Sequence, residues 1–205
     1  MPSDTLKALA LNCTLKRSKD SSSTDKLLGE LLNALGQHGV SGEVVRVVDL
    51  NIKPGVTSDE GTDDDWPDLR GKILASDILI VGTPIWLGQP SSVAKRVLER
   101  MDAFLDETDE NSRMPSFGKL AIVAVVGNED GAHHCHAELF QALNDVGFTI
   151  PAAGGTYWVG EAMGSTDYKD LKEPYDKTVQ TTAMLASNAA HLARLLKAGA
   201  YPGVS

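Results

Sequence analysis

The chain has 205 residues, 42% of them hydrophobic, with two cysteines and a formal net charge of −9. That length and apolar content suit one core-forming α/β domain, and the charge disfavours nucleic acid or an anionic membrane as partner. Cys13 and Cys135 make no disulfide framework, residues 1–7 lack the apolar core of a signal peptide, and no apolar run is as long as a membrane span. A soluble cytoplasmic protein is expected.

Strand and helix patterns alternate from end to end. Residues 6–12 read as a first strand. The helix after it, 24–37, has Leu27, Leu28, Leu31, Leu32 and Leu35 on one face, with Ser23 or Thr24 as N-cap. A second strand is expected over 43–48. The long polar connection 49–65 suggests a functional or mobile loop. Its acidic run, Asp59 to Asp65, lacks the ligand spacing of a calcium loop and reads as solvated, with Asp65 capping a short helix over 66–75.

The third strand, 77–82, is a continuous apolar run of the kind buried on both faces of a parallel sheet. A loop over 83–89 follows, then a helix over 91–104 with Val93, Val97, Leu98, Met101 and Leu105 facing the sheet. A fourth strand is placed at 120–126 and a helix at 132–146, with Asp130 as a candidate N-cap. The fifth strand begins at 148–151 and resumes at 155–159. A last helix runs from Pro174 to Lys197, and 198–205 read as a loose tail. Trp66, Tyr157 and Trp158 suit either a core or an interface. This alternation predicts one doubly wound domain, with a five-stranded parallel sheet of order 2-1-3-4-5 and helices on both faces.

In such sheets a ligand sits beyond the carboxyl ends of the strands, so three loops should share one rim. The first, 13–23, carries five hydroxyls and three cations ahead of a helix start at Thr24, and its hydroxyls with Lys16 or Arg17 at a helix N-terminus would suit a phosphate. The second carries Thr83, rigid Pro84, Ile85, planar Trp86, Leu87 and permissive Gly88, which suit a flat heteroaromatic ring. The third, Gly127-Asn128-Glu129-Asp130-Gly131, combines two glycines with Asn128 and backbone amides able to bond a ring's carbonyls and nitrogens. No dinucleotide fingerprint, phosphate-loop Gly-Lys-Ser/Thr or hydrolase elbow is present. Thr83 stands where a phosphoacceptor domain would need a carboxylate. In the cluster His133-His134-Cys135-His136 only His133 and His136 share a helix face, and no second Cys/His pair would complete a tetrahedral site, so no metal is expected.

Together the three loops resemble the FMN-dependent NAD(P)H oxidoreductases of the flavodoxin-like superfamily. The family's Asn-Gly-Ser-Pro-Arg stands here as Asn12-Cys13-Thr14-Leu15-Lys16, with Cys13 for Gly and Leu15 for Pro. Its Gly-Thr-Pro-aromatic signature stands as Gly82-Thr83-Pro84-Ile85-Trp86-Leu87-Gly88. The resemblance implies FMN bound through Thr14, Lys16, Ser23 and Thr24 at its phosphate and through 83–88 and 127–131 at its ribityl chain and ring. It further implies NADPH or NADH as transient co-substrate and ping-pong hydride transfer to a quinone-like or other small acceptor. Backbone N–H groups of 85–88 and 128–131 would stabilise the reduced ring. His133 is a candidate proton donor to the acceptor, and a homodimer or homotetramer is expected. Two other readings remain: an electron carrier or redox sensor without NAD(P)H turnover, and a flavin-free interaction module.

Overall fold

The computed structural model describes residues 5–173 and 175–204. In chain order the elements are β1 (Leu6–Asn12), α1 (Ser23–Gly36), β2 (Val40–Arg46), α2 (Trp66–Ala75), β3 (Ile78–Trp86), β4 (Gln89–Pro90), α3 (Ser92–Met101), β5 (Leu120–Gly127), α4 (Ala132–Asp145), β6 (Gly155–Val159) and α5 (Asp176–Ala198). Five parallel strands form a sheet of order β2-β1-β3-β5-β6, and β4 pairs only with β3. Apart from that added hairpin strand, this is the expected flavodoxin-like order. No helix among the described residues is long and apolar enough to cross a membrane.

The alternation of side chains along each strand divides the core in two. Leu9, Leu11, Leu79, Val81, Val123 and Val125 face α2, α3 and α4, where they meet Trp66, Ile73, Val97, Met101, Leu139 and Leu143. Ala8, Ala10, Ile78, Ile80, Leu120 and Ile122 face α1 and α5. On that side the four leucines Leu27, Leu28, Leu31 and Leu35 of α1 are buried beside Ala186, Ala189, Ala190 and Ala193 of α5. Because both faces are covered, the central strands read as unbroken apolar runs.

Several boundaries differ from expectation. β2 starts at Val40 and ends at Arg46, since Val47–Asp49 forms a 3-10 turn. The cap of α1 is Ser22, whose hydroxyl accepts from the Asp25 N–H at 3.2 Å. Asp65 does not cap α2 with its side chain; its carboxylate accepts from the Asn51 N–H, and Asp64 accepts from Trp66 N–H. α3 ends at Met101 and gives way to a 3-10 turn over Asp102–Leu105, which leaves Leu105 exposed. In the region expected to open the fifth strand, Thr149 makes one isolated bridge to Leu120, and the strand proper is 155–159. Pro174, expected to begin the last helix, lies outside the described residues, as do residues 1–4 and 205. The tail has no regular structure but is anchored: the Tyr201 ring packs edge-on to Phe117, and the Val204 N–H donates to the Asn111 carbonyl.

The connection 49–65 is also not a plain solvated loop. The side chains of Arg100 in α3 and of Asp64 are both fully buried and paired at 2.8 Å. Arg100 also donates to the carbonyls of Lys53 and Thr57, and its guanidinium lies 5.4 Å from the Trp66 ring centre. Asp64 accepts further bonds from the N–H groups of Lys53, Glu60 and Trp66. Burial by itself raises the Asp64 pKa, but these hydrogen bonds prevail and hold it down at about 2.

Candidate functional site

The carboxyl ends of β1, β3 and β5 and the segment after β6 enclose a cavity of about 220 Å³. Thr14, Lys16, Ser23 and Thr24 line it on one side; Pro84, Ile85 and Trp86 on another; Gly127, Asn128 and Glu129 complete the three loops. Thr83, Leu87, Gly88, Asp130 and Gly131 do not line it. Residues not anticipated do: Leu15, Ser22, Val126, Trp158 and Asp167. Trp158 was readable as buried, but nothing in the sequence assigned residues 160–172 to the site.

The first loop is built around two side chains. Asn12 accepts from the Thr14 N–H at 3.0 Å and donates to Asp25. Arg46, the last residue of β2, pairs with Asp25 and donates to the carbonyls of Lys16, Arg17 and Asp20. The loop therefore has a fixed backbone, and the Asp25 charge in the first turn of α1 is neutralised. The first N–H groups of a helix have no partner inside it. Here Ser22 takes those of Asp25 and Lys26, which leaves those of Ser23 and Thr24 for a ligand. Cys13 points away from the cavity, its Sγ directed at the Leu11 carbonyl, and burial drives its thiol pKa far above the usual range.

The expected second loop is a strand and a hairpin. β3 continues past Gly82, pairing Thr83 with Val125 and Pro84 with Val126. β1 has ended by then, so β3 has a neighbour on one side only, where a strand tolerates proline. Ile85 pairs with Pro90 and Trp86 with Gln89. Between them Leu87 and Gly88 both have positive φ, +53° and +74°, as in the two-residue hairpin turn that matches strand twist. Thr83 is buried and structural: its hydroxyl accepts from the Ser91 N–H at 2.9 Å.

The third loop is docked onto that hairpin. Glu129 accepts from the Leu87 and Gly88 N–H groups, each at 3.1 Å. Those two amides, expected to serve a reduced ring, are thus engaged within the chain. Gly131 has φ +125°, and a Cβ there would meet the Gly88 Cα and carbonyl oxygen at 2.7 Å, so only glycine fits. Asp130 does not cap α4; its carboxylate accepts from the adjacent Gly131 N–H, and the cap position is Gly131 itself. The Asn128 amide donates to the Gly164 carbonyl and to Asp167, which brings Asp167 to the cavity. Lys26 donates to the carbonyls of Tyr168 and Leu171, fastening the same segment to α1.

His133 lies outside the cavity lining. It contacts the Tyr157 hydroxyl at 3.2 Å. His134 lies beside Gln89 and Glu138, and His136, its pKa lowered to about 4 chiefly by burial, packs on Tyr157 and Phe140. Burial, aided by Glu138, pushes the Cys135 thiol up to about 11, so neither cysteine is a ready nucleophile.

Known proteins match this arrangement along nearly the whole chain. The family model described as NADPH-dependent FMN reductase matches residues 6–164. The 8-demethyl-8-aminoriboflavin-5'-phosphate synthase of Streptomyces davaonensis is 32% identical over 206 residues, covering 96% of this chain and 80% of that protein. A Mycobacterium bovis protein named divalent metal cation transporter MntH is 36% identical over 204 residues, and this chain spans 30% of its length. The crystal structure of RosB with bound 8-demethyl-8-formylriboflavin-5'-phosphate superposes with a TM-score of 0.88 at 33% identity, covering 96% of this chain and 82% of that one. With its flavodoxin-like fold, the chain belongs to the NADPH-dependent FMN reductase family.

Proposed function

We propose that the chain is a flavin-dependent oxidoreductase whose rim cavity holds FMN, with NADPH or NADH as electron donor and a quinone-like or other small molecule as acceptor. The observation that carries this reading is the donor set at one end of a cavity with aromatic walls. The free N–H groups of Ser23 and Thr24, the hydroxyls of Thr14, Ser23 and Thr24, and the Lys16 ammonium fit a phosphate. Pro84, Ile85, Trp86 and Trp158 offer apolar and aromatic surface to a flat ring. FMN would supply two-electron transfer between the donor and the acceptor. The protein's part is to fix the phosphate at α1, to confine the ring with Trp86 and Trp158, and to exclude water between them. Because one cavity is lined by all three loops, donor and acceptor would occupy it in turn, which supports a ping-pong order.

The test is the visible spectrum of the purified protein after addition of excess FMN and removal of the unbound fraction, followed by NADPH. We expect about one flavin per chain and bleaching of its absorbance in the absence of acceptor. No retained flavin at micromolar protein would favour an interaction module, and retained flavin that NAD(P)H does not bleach would favour an electron carrier.

The two flavin-named relatives support a second reading, in which the flavin phosphate is itself the substrate. Mass analysis of the flavin recovered after turnover separates the two: an unchanged mass supports the oxidoreductase. We also propose self-association through the surface beside the cavity, where Leu87, next to Trp86, is 91% exposed and Met163, whose N–H donates to the Asn128 carbonyl, is 99% exposed. A monomeric sedimentation coefficient at micromolar concentration would refute it.

A further inference from the structure

Leu87 adopts a left-handed backbone conformation, φ +53°, that is unfavourable for an L-residue with a Cβ, and it does so at a hairpin tip with almost no side-chain packing. Something must hold that tip. Three contacts from the β5–α4 region reach it: the Glu129 carboxylate on the N–H groups of Leu87 and Gly88, the backbone of Gly131 under Gly88, and the Cys135 thiol 3.8 Å from the Gly88 carbonyl. Only the first is charge-assisted, and it uses both carboxylate oxygens, Oε1 for one amide and Oε2 for the other. Trp86, one residue before the tip and half exposed, forms a wall of the cavity.

We propose that Glu129 is a positioning residue: its two-oxygen grip on the hairpin sets where Trp86 stands and therefore how tightly the cavity closes on a flat ligand. The consequence for FMN rests on the function proposed above; the placement of Trp86 does not. A glutamine cannot reproduce this grip, because only one of its two terminal atoms is an acceptor and the charge is lost.

Trp86 can be read directly, since Trp66 and Trp158, the other two tryptophans, are buried. The experiment is acrylamide quenching of tryptophan emission in the wild type, Glu129→Gln and Glu129→Ala, with Trp86→Phe to identify the Trp86 component. It is paired with a fluorescence titration using FMN. Thermal melts confirm that each variant is folded. We expect the Trp86 quenching constant to change at least 1.5-fold in both Glu129 variants, and the apparent Kd for FMN to rise about 10-fold, equal to 1.4 kcal/mol. Leu87→Gly removes the steric cost of the turn and, added to Glu129→Gln, should return the quenching constant toward the wild-type value. An unchanged quenching constant in both Glu129 variants, or a change that Leu87→Gly leaves untouched, overturns the assignment. A wild type that binds no FMN overturns the functional reading alone, with the quenching measurements still deciding the role of Glu129.

Discussion

Replacing Arg100 by alanine should lower folding stability by about 3–5 kcal/mol, the cost of leaving a buried charge unpaired. For a chain of this size that is a fall in melting temperature of roughly 6–20 °C, measurable by calorimetry. Asp64→Asn should act in the same direction, because it strands the Arg100 guanidinium. A shift under about 2 °C in both variants would show that the 49–65 connection does not depend on this pair. The acid limb of the stability curve gives an independent check. Asp64 is held at about 2 in the folded chain against 3.8 for an unperturbed aspartate, so its contribution is complete above the higher value. It is lost as pH falls through the lower one, and the Asp64→Asn variant should lack that part of the acid dependence.

Arg46→Ala should weaken FMN binding about 100-fold, near 2.7 kcal/mol, the scale of truncating one partner of a hydrogen-bonded charge pair. Two effects act together. The carbonyls of Lys16, Arg17 and Asp20 lose their common donor, so the phosphate-facing loop loosens. The Asp25 carboxylate, in the first turn of the helix meant to receive an anion, loses its counter-charge. Adding Asp25→Asn should recover part of the affinity by removing that repulsion. A fluorescence titration that finds Arg46→Ala indistinguishable from the wild type would place the phosphate elsewhere.

Neither arginine could be recognised from the sequence, and the reason is physical. Arg46 ends a strand and Arg100 sits near the end of a helix, positions where a charged side chain ordinarily faces water. Their value comes from backbone carbonyls of Lys16–Asp20 and Lys53–Thr57, which only the folded chain brings near. What was legible was what periodicity encodes: the apolar runs of β3 and β5, the leucine face of α1, and the resulting strand order. The convergence of Thr14, Ser23, Pro84, Trp86 and Asn128 followed from that order alone. The cap of α1, expected at Ser23 or Thr24, falls one residue earlier because Ser22, Ser23 and Thr24 all carry a hydroxyl able to cap and only the folded backbone selects Ser22. The 86–89 hairpin was hidden because Leu87 occupies a turn position that sequence preference reserves for glycine or asparagine. The start of the fifth strand was misplaced because Phe148 and Ile150 resemble a strand, whereas Pro151 and Ala153, with φ +54°, carry the chain away from β5 before it returns at Gly155.

Because β1 lies between β2 and β3, a growing chain can pair β1 with β2 early, but the other edge of β1 waits for residues 78–82. Ala8 meets Ile78 only after the long 49–65 connection has been made. Until then a strand as apolar as Leu-Ala-Leu offers an open edge to any neighbouring chain. Parallel pairing over such separations is slow, so the interval between synthesis of β2 and closure of β3 is when this protein is most exposed to aggregation. The clamp formed by Arg100 and Asp64 cannot shorten that interval, since Arg100 lies in α3, after β3 in the chain.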